Sequence, residues 1–145
     1  MYNVVVLWAP DSADNRRIVE AVGRAFEQMK VALIVKTAGE DTIADVTAAD
    51  IVVFGAQKVG SADAPAEFAD FMRIFKGITL AGRTAGLFSM GQDKATARLR
   101  KALKETEIAM ADDDPLFSDG KPAASVTDWA QRLVAVHQEL HDARA

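Results

Sequence analysis

The residues of this chain with types and spacing suited to chemistry lie in three short polar loops. Each loop ends an apolar run. Val4 to Leu7 leads into Ala9, Pro10, Asp11, Ser12, Ala13, Asp14 and Asn15. Ile51 to Phe54 leads into Gly55, Ala56, Gln57, Lys58, Val59, Gly60 and Ser61. Ala85 to Phe88 leads into Ser89, Met90, Gly91, Gln92 and Asp93. Hydroxyls, amides and a permissive glycine backbone suit non-covalent binding, and no loop offers a nucleophile beside a base. A short continuous apolar run is the pattern of a strand buried on both faces. Each loop is followed by a helical pattern, which predicts a parallel sheet. In open parallel sheets, ligands bind outside the carboxyl ends of the strands. The three loops are therefore expected on one edge.

Several chemistries are excluded by what is missing. No Gly-x-Gly-x-x-Gly follows the first strand, and there is no Gly-Lys-Ser/Thr phosphate loop. A phospho-acceptor receiver domain needs an Asp at the end of the third strand, where this chain has Phe54 and Gly55. His137 and His141 stand at i and i+4, a metal-binding spacing, but no third ligand lies nearby, and solvated helix residues are the expected reading. Asp112, Asp113 and Asp114 offer hard-cation ligands, yet a run of like charges reads first as a solvated loop. Asp11 or Asp14, just ahead of a helical stripe, is expected to cap that helix.

The elements that position these loops alternate along the chain. The first strand is read over Asn3 to Trp8. A helix follows over Asp14 to Lys30, with Ile18, Val22, Ala25, Phe26 and Met29 on one face. The second strand is Val31 to Thr37. Ala38 to Asp50 leaves room for a turn or very short helix with Ile43 and Val46 inward. The third strand is Ile51 to Phe54. A helix is predicted over Pro65 to Phe75, with Pro65 in its first turn, a stripe of Phe68, Phe71, Met72 and Phe75, and Gly77 at its end. The fourth strand is Thr84 to Phe88, followed by a helix over Lys94 to Thr106. A weak fifth strand covers Glu107 to Met110 and resumes at Leu116 and Phe117. The last helix runs from Ala124 to Asp142 with Val126, Trp129, Leu133, Val136 and Leu140 on its stripe. This is a single α/β domain over residues 1–145, a doubly wound five-stranded parallel sheet. Right-handed crossovers leave few topologies, and strand order 2-1-3-4-5 is the economical one.

Composition sets the outer bounds. The chain has 145 residues, half of them apolar, which is enough for one core. It contains no Cys, which excludes disulfides, Cys-ligated clusters and thiol catalysis and points to a reducing, cytoplasmic setting. Met1-Tyr2-Asn3 is not basic, and the apolar run behind it is too short for a signal peptide or membrane span. Net charge is −4 with Lys and Arg scattered among acids, so neither nucleic acid nor membrane is expected as a partner.

Taken together, the order of strands, loops and helices resembles the short-chain flavodoxins, and the likeness spans nearly the whole chain. Its most specific part is Asp50-Ile51-Val52-Val53-Phe54-Gly55 leading to Val59-Gly60-Ser61. A second is Ala81-Gly82-Arg83-Thr84 leading to Gly86-Leu87-Phe88-Ser89. The resemblance implies a flavodoxin-like fold that holds flavin mononucleotide (FMN) without a covalent bond. It also implies a small electron carrier between partner proteins, rather than an enzyme with its own catalytic residues.

What the resemblance implies differs from loop to loop. The family's first loop is rich in Ser, Thr and Gly and wraps the flavin phosphate. Ser12, Asn15 and Arg16 hold that place here. The family's Gly position is filled by Ala13 or Asp14. Backbone N–H groups at a helix N-terminus bind the anion, hydroxyls add hydrogen bonds, and Arg16 or Arg17 offsets the two carboxylates. The second loop matches better. Val59, Gly60 and Ser61 follow the pattern in which an aliphatic residue precedes a Gly whose peptide faces the ring's redox nitrogen; a plain turn is the other reading. The third loop, Ser89, Met90, Gly91 and Gln92, is shorter than the family's and lacks its stacking aromatic. Met90 is either a soft lid on the ring or a core or partner-facing residue. Trp8 faces a ligand or the core according to strand parity. The alternative to the redox carrier is a flavin-free relative that keeps the scaffold as a binding or regulatory module.

Overall fold

The computed structural model describes residues 1–39, 42–57, 65–91, 95–111, 114–117 and 126–144. Strand β1 (Tyr2–Ala9) leads into helix α1 (Ala13–Glu27), then β2 (Val31–Thr37), α2 (Ile43–Ala48) and β3 (Ile51–Ala56). A 3₁₀ turn at Ala66–Phe68 opens α3 (Ala69–Phe75), followed by β4 (Thr84–Met90) and α4 (Ala97–Lys104). Two short strands, β5 (Ala109–Met110) and β6 (Leu116–Phe117), precede the long α5 (Val126–Arg144). The sheet runs β2-β1-β3-β4-β5, every pairing parallel, with β6 also on β4. The expected strand order therefore holds. The weak fifth strand is two pieces: β5 pairs Thr84 and Ala85, and β6 pairs Ser89 and Met90.

Period-two alternation sorts the strand residues onto two faces, each with its own core. Val5 and Leu7 of β1, Val52 and Phe54 of β3, and Ala85 and Leu87 of β4 pack against Val46, Phe71, Phe75, Leu99 and Leu103 of α2, α3 and α4. Val4, Val6 and Trp8, Ile51 and Val53, and Phe88 and Met90 pack against Ile18, Val22 and Phe26 of α1 and Trp129 and Leu133 of α5. Strands buried on both sides read as unbroken apolar runs for this reason. The Phe54 ring meets Phe68, Phe71 and Phe75 at centroid distances of 5.8, 6.0 and 6.1 Å, all near edge-on. That geometry suits the aromatic quadrupole.

Edge strand β2 differs from the three buried runs. It leaves Ile34 and Val35 exposed at 45% and 40%. Register sets the site: Ala9 stands level with Ala56, and Ala56 with Ser89. The three loops thus leave the sheet at one height on its carboxyl edge.

Candidate functional site at the carboxyl edge

The first loop is built around Ser12. Its extended backbone (φ −150°, ψ 160°) lets Oγ accept from the Asn15 N–H at 3.1 Å, capping α1. Neither Asp11 nor Asp14 caps the helix, contrary to the sequence expectation. Asp11 is instead gripped by the Arg16 fork, with Nε and Nη2 each donating to a different carboxylate oxygen at 2.7 Å. A bidentate guanidinium–carboxylate pair is the stronger arrangement for both side chains. That hydrogen bond holds the Asp11 carboxyl below, and the Arg16 guanidinium above, their ordinary values. Asp14 lies in the first turn, 3.8 Å from Arg17. Each aspartate of the loop therefore has an arginine partner.

Asn15 is 1% exposed and turns inward. Its amide nitrogen donates both hydrogens, to the Pro10 carbonyl at 2.9 Å and to Gln57 Oε1 at 3.1 Å. Its backbone N–H is taken by Ser12. Asn15 thus ties the first loop to the end of β3 instead of offering a side-chain donor to the edge. Gln57 was not singled out in the sequence, yet it touches all three loops. Its N–H donates to Ala9 at 3.1 Å, and its side chain meets Asn15 and lies against Gly91. Val59, Gly60 and Ser61 lie outside the described residues.

The third loop starts later than expected because β6 extends the ladder. Ser89 donates its N–H to Pro115 at 3.0 Å, and Gly91 donates to Phe117 at 2.7 Å. Ser89 and Met90 are therefore strand residues. Strand alternation sends Met90 with Phe88 into the α1–α5 core, fully buried. Met90 is a core residue and not a lid. Trp8 points to the same core, 6% exposed. Ser89 is buried with its Oγ 3.4 Å from Thr96 Oγ1. Gly91 adopts φ +82°, and a Cβ there would sit 2.9 Å from Gln57 Nε2. The positive φ calls for glycine, while the Gln57 amide could swing away from a Cβ.

Two further readings change with the structure. Asp114 is not part of a solvated run: Thr96 Oγ1 donates to it at 3.0 Å and Arg100 pairs with it. Asp112 and Asp113 lie outside the described residues. His137 is not solvated but 3% exposed, sharing a 2.9 Å hydrogen bond with Thr84 Oγ1 and meeting the Tyr2 ring edge-on at 4.6 Å. Burial, first among its causes, pushes the His137 imidazole below its ordinary value. Its place at i+4 from Leu133 on the buried stripe was the available signal. Among the described residues, no group of three or more His, Cys, Asp or Glu is placed to hold a metal ion. No described helix is long and apolar enough to cross a membrane.

An open groove of about 510 Å³ runs beside the first loop between α1 and β2. Trp8, Asp11, Arg16, Val19, Gly23 and Val35 are among the residues that line it.

No protein-family model matches the sequence, and no curated protein matches it. Solved structures do. A short-chain flavodoxin associated with a non-canonical PDU bacterial microcompartment superposes with TM-score 0.82 at 19% identity, covering 94% of this chain and 99% of that one. Oxidised flavodoxin 1 from Bacillus cereus gives 0.75 at 18% identity, over 94% and 97%. Fusobacterium nucleatum flavodoxin bound to flavin mononucleotide gives 0.66 at 10% identity, over 98% of each chain. The class defined by the fold is therefore flavodoxin-like: a five-position parallel sheet in the order 2-1-3-4-5 with helices on both faces.

The first loop keeps features suited to an anion. The Ser12 hydroxyl accepts from Asn15 and keeps its own proton to donate. The N-terminus of α1 carries positive dipole there. Both nearby carboxylates are already matched by arginines.

Proposed function

We propose that this protein is a small redox carrier that holds FMN non-covalently across the carboxyl edge of its sheet. The observation that carries the reading is the convergence of three loops at one height, led by a Ser-capped helix N-terminus with its charge balanced locally. The full-length likeness to flavodoxins supports it. When bound, FMN supplies the one- and two-electron chemistry. The chain's own residues bind and orient. Ser12 and the first turn of α1 hold the phosphate, while Arg16 and Arg17 keep Asp11 and Asp14 from repelling it. The Val59–Gly60–Ser61 segment supplies the ring contact that the resemblance implies, and Gly91 stands at the ring end. A protein partner in the cytoplasm would receive the electrons.

A second reading is a flavin-free module on the same scaffold. It is favoured by Asn15 and Met90, which are both turned into the protein. Purified protein titrated with FMN, followed by quenching of flavin fluorescence, separates the two. Saturable quenching, weaker with riboflavin, supports the carrier. No quenching at high micromolar protein, even with Asp11 and Asp14 both replaced by Asn, leaves the flavin-free module.

A further inference from the structure

The two ends of the third loop are fastened to each other and to the broken edge strand through one carboxylate. Ser89, at the end of β4, and Thr96, at the start of α4, are both buried, with hydroxyl oxygens 3.4 Å apart. Thr96 Oγ1 donates to Asp114 Oδ2 at 3.0 Å. One turn along α4, Arg100 donates to the same carboxylate from Nε at 3.1 Å and from Nη2 to Oδ1. That guanidinium also donates to the Ala111 carbonyl at 3.1 Å. Asp114 therefore joins three pieces of chain: the end of β4, the first turn of α4, and the segment between β5 and β6. Its side chain is 19% exposed and that of Arg100 24%, so water screens the pair less than the surface pairs of α1. Thr96 makes no cap bond with its side chain to the backbone of α4. Its hydroxyl is committed to Asp114, which explains why a residue that usually caps is used otherwise here.

We infer that Asp114 is a positioning residue for ligand binding. Without touching the ligand, it holds Thr96 and, through Thr96, Ser89 of β4, and so keeps the described residues Ser89 to Gly91 in place at the ring end of the site. This rests on the FMN reading for its ligand, but not for its geometry. Charge-assisted, bidentate bonds hold a loop end to a narrow range of positions, and preorganised loops bind without the entropy cost of ordering.

The experiment compares wild type, Asp114→Ala and Thr96→Val. Thr96→Val is the milder variant, cutting only the hydroxyl link. Titrations use FMN and riboflavin, and amide hydrogen exchange is followed across the chain. A ring-end effect weakens both flavins by the same factor, roughly tenfold for Asp114→Ala, equivalent to about 1.4 kcal/mol. A phosphate-end effect touches FMN alone. Exchange should quicken at Ser89, Met90, Gly91, Ala95 and Thr96, with the amides of α1 unchanged. A loss confined to FMN, or unchanged exchange at those amides, overturns the inference. So does exchange that quickens uniformly across the sheet, which marks a general loss of stability. If wild type binds neither flavin, the carrier reading falls, and the exchange pattern alone decides whether Asp114 keeps Ser89 to Gly91 in place.

Discussion

Gly55 of β3 lies directly beneath the ring of Phe88 of β4. A Cβ built on Gly55 would stand 2.2 Å from Phe88 Cζ. The two residues are register partners on the face covered by α1 and α5. A glycine one strand over is what lets a phenylalanine lie flat between the sheet and Trp129, whose ring centroid is 6.0 Å away.

Gly55→Ala should therefore cost about 1–3 kcal/mol by overpacking. Gly77 supplies the control, since nothing lies within 4 Å of its added Cβ. Gly77→Ala should change stability by less than about 0.5 kcal/mol or stabilise slightly. Urea melts of the two variants check both, and equal losses would refute the packing argument.

Phe71 is 1% exposed and shares edge and tilted contacts with Phe54, Phe68 and Phe75. Phe71→Ala is expected to lose about 3–5 kcal/mol, the usual cost of a buried aromatic truncation. A loss under about 1 kcal/mol in denaturant melts would place the residue outside the core.

Asp11→Asn releases Arg16 from its fork, and Asp14→Asn releases Arg17. Each change deletes a negative charge near the phosphate position and leaves the Ser12 cap in place. FMN affinity should rise by roughly threefold per substitution at low salt. Riboflavin, which lacks the phosphate, should respond much less. Fluorescence titrations measure both, and an equal gain for the two flavins would move the phosphate away from this helix.

Burial lowers the His137 imidazole below its ordinary value, against the opposing pull of Asp50 and with a smaller push from His141. Its folded value lies below the unfolded one, near 6.5, so the unfolded chain binds the extra proton first. Stability should accordingly fall as pH drops below about 6.5. Melting midpoints between pH 8 and pH 5.5 should decline in the wild type, and His137→Gln should flatten that slope. A slope unchanged by the substitution would assign it to other groups.

Periodicity made much of the fold legible. β2 was bounded correctly at Val31 and Thr37, and the stripes through Phe26, Phe68, Phe71 and Trp129 pointed to residues that are buried. Faces are written locally, in spacings of two and near four, so a single sequence carries them. The site was less legible because pairings between distant residues define it. Asn15 meets Gln57 across 42 positions, and Thr84 meets His137 across 53. Helical spacing from Leu133 marks His137 as inward, but nothing local names the partner in either pair. Met90 was ambiguous for a related reason. Its direction depends on whether β4 continues past Phe88, and that is decided by β6, 27 residues onward in register.

The two margins of the sheet differ in how they meet other molecules. At one margin the terminal ladder is interrupted between Met110 and Leu116, where Arg100 and Asp114 stand across the gap. A broken margin with charge in the break makes a poor template for another strand. The opposite margin, β2, is seven residues without a break and shows Ile34 and Val35 to water. When this protein is heated or concentrated, sticking should begin at β2, and Ile34→Lys should delay it.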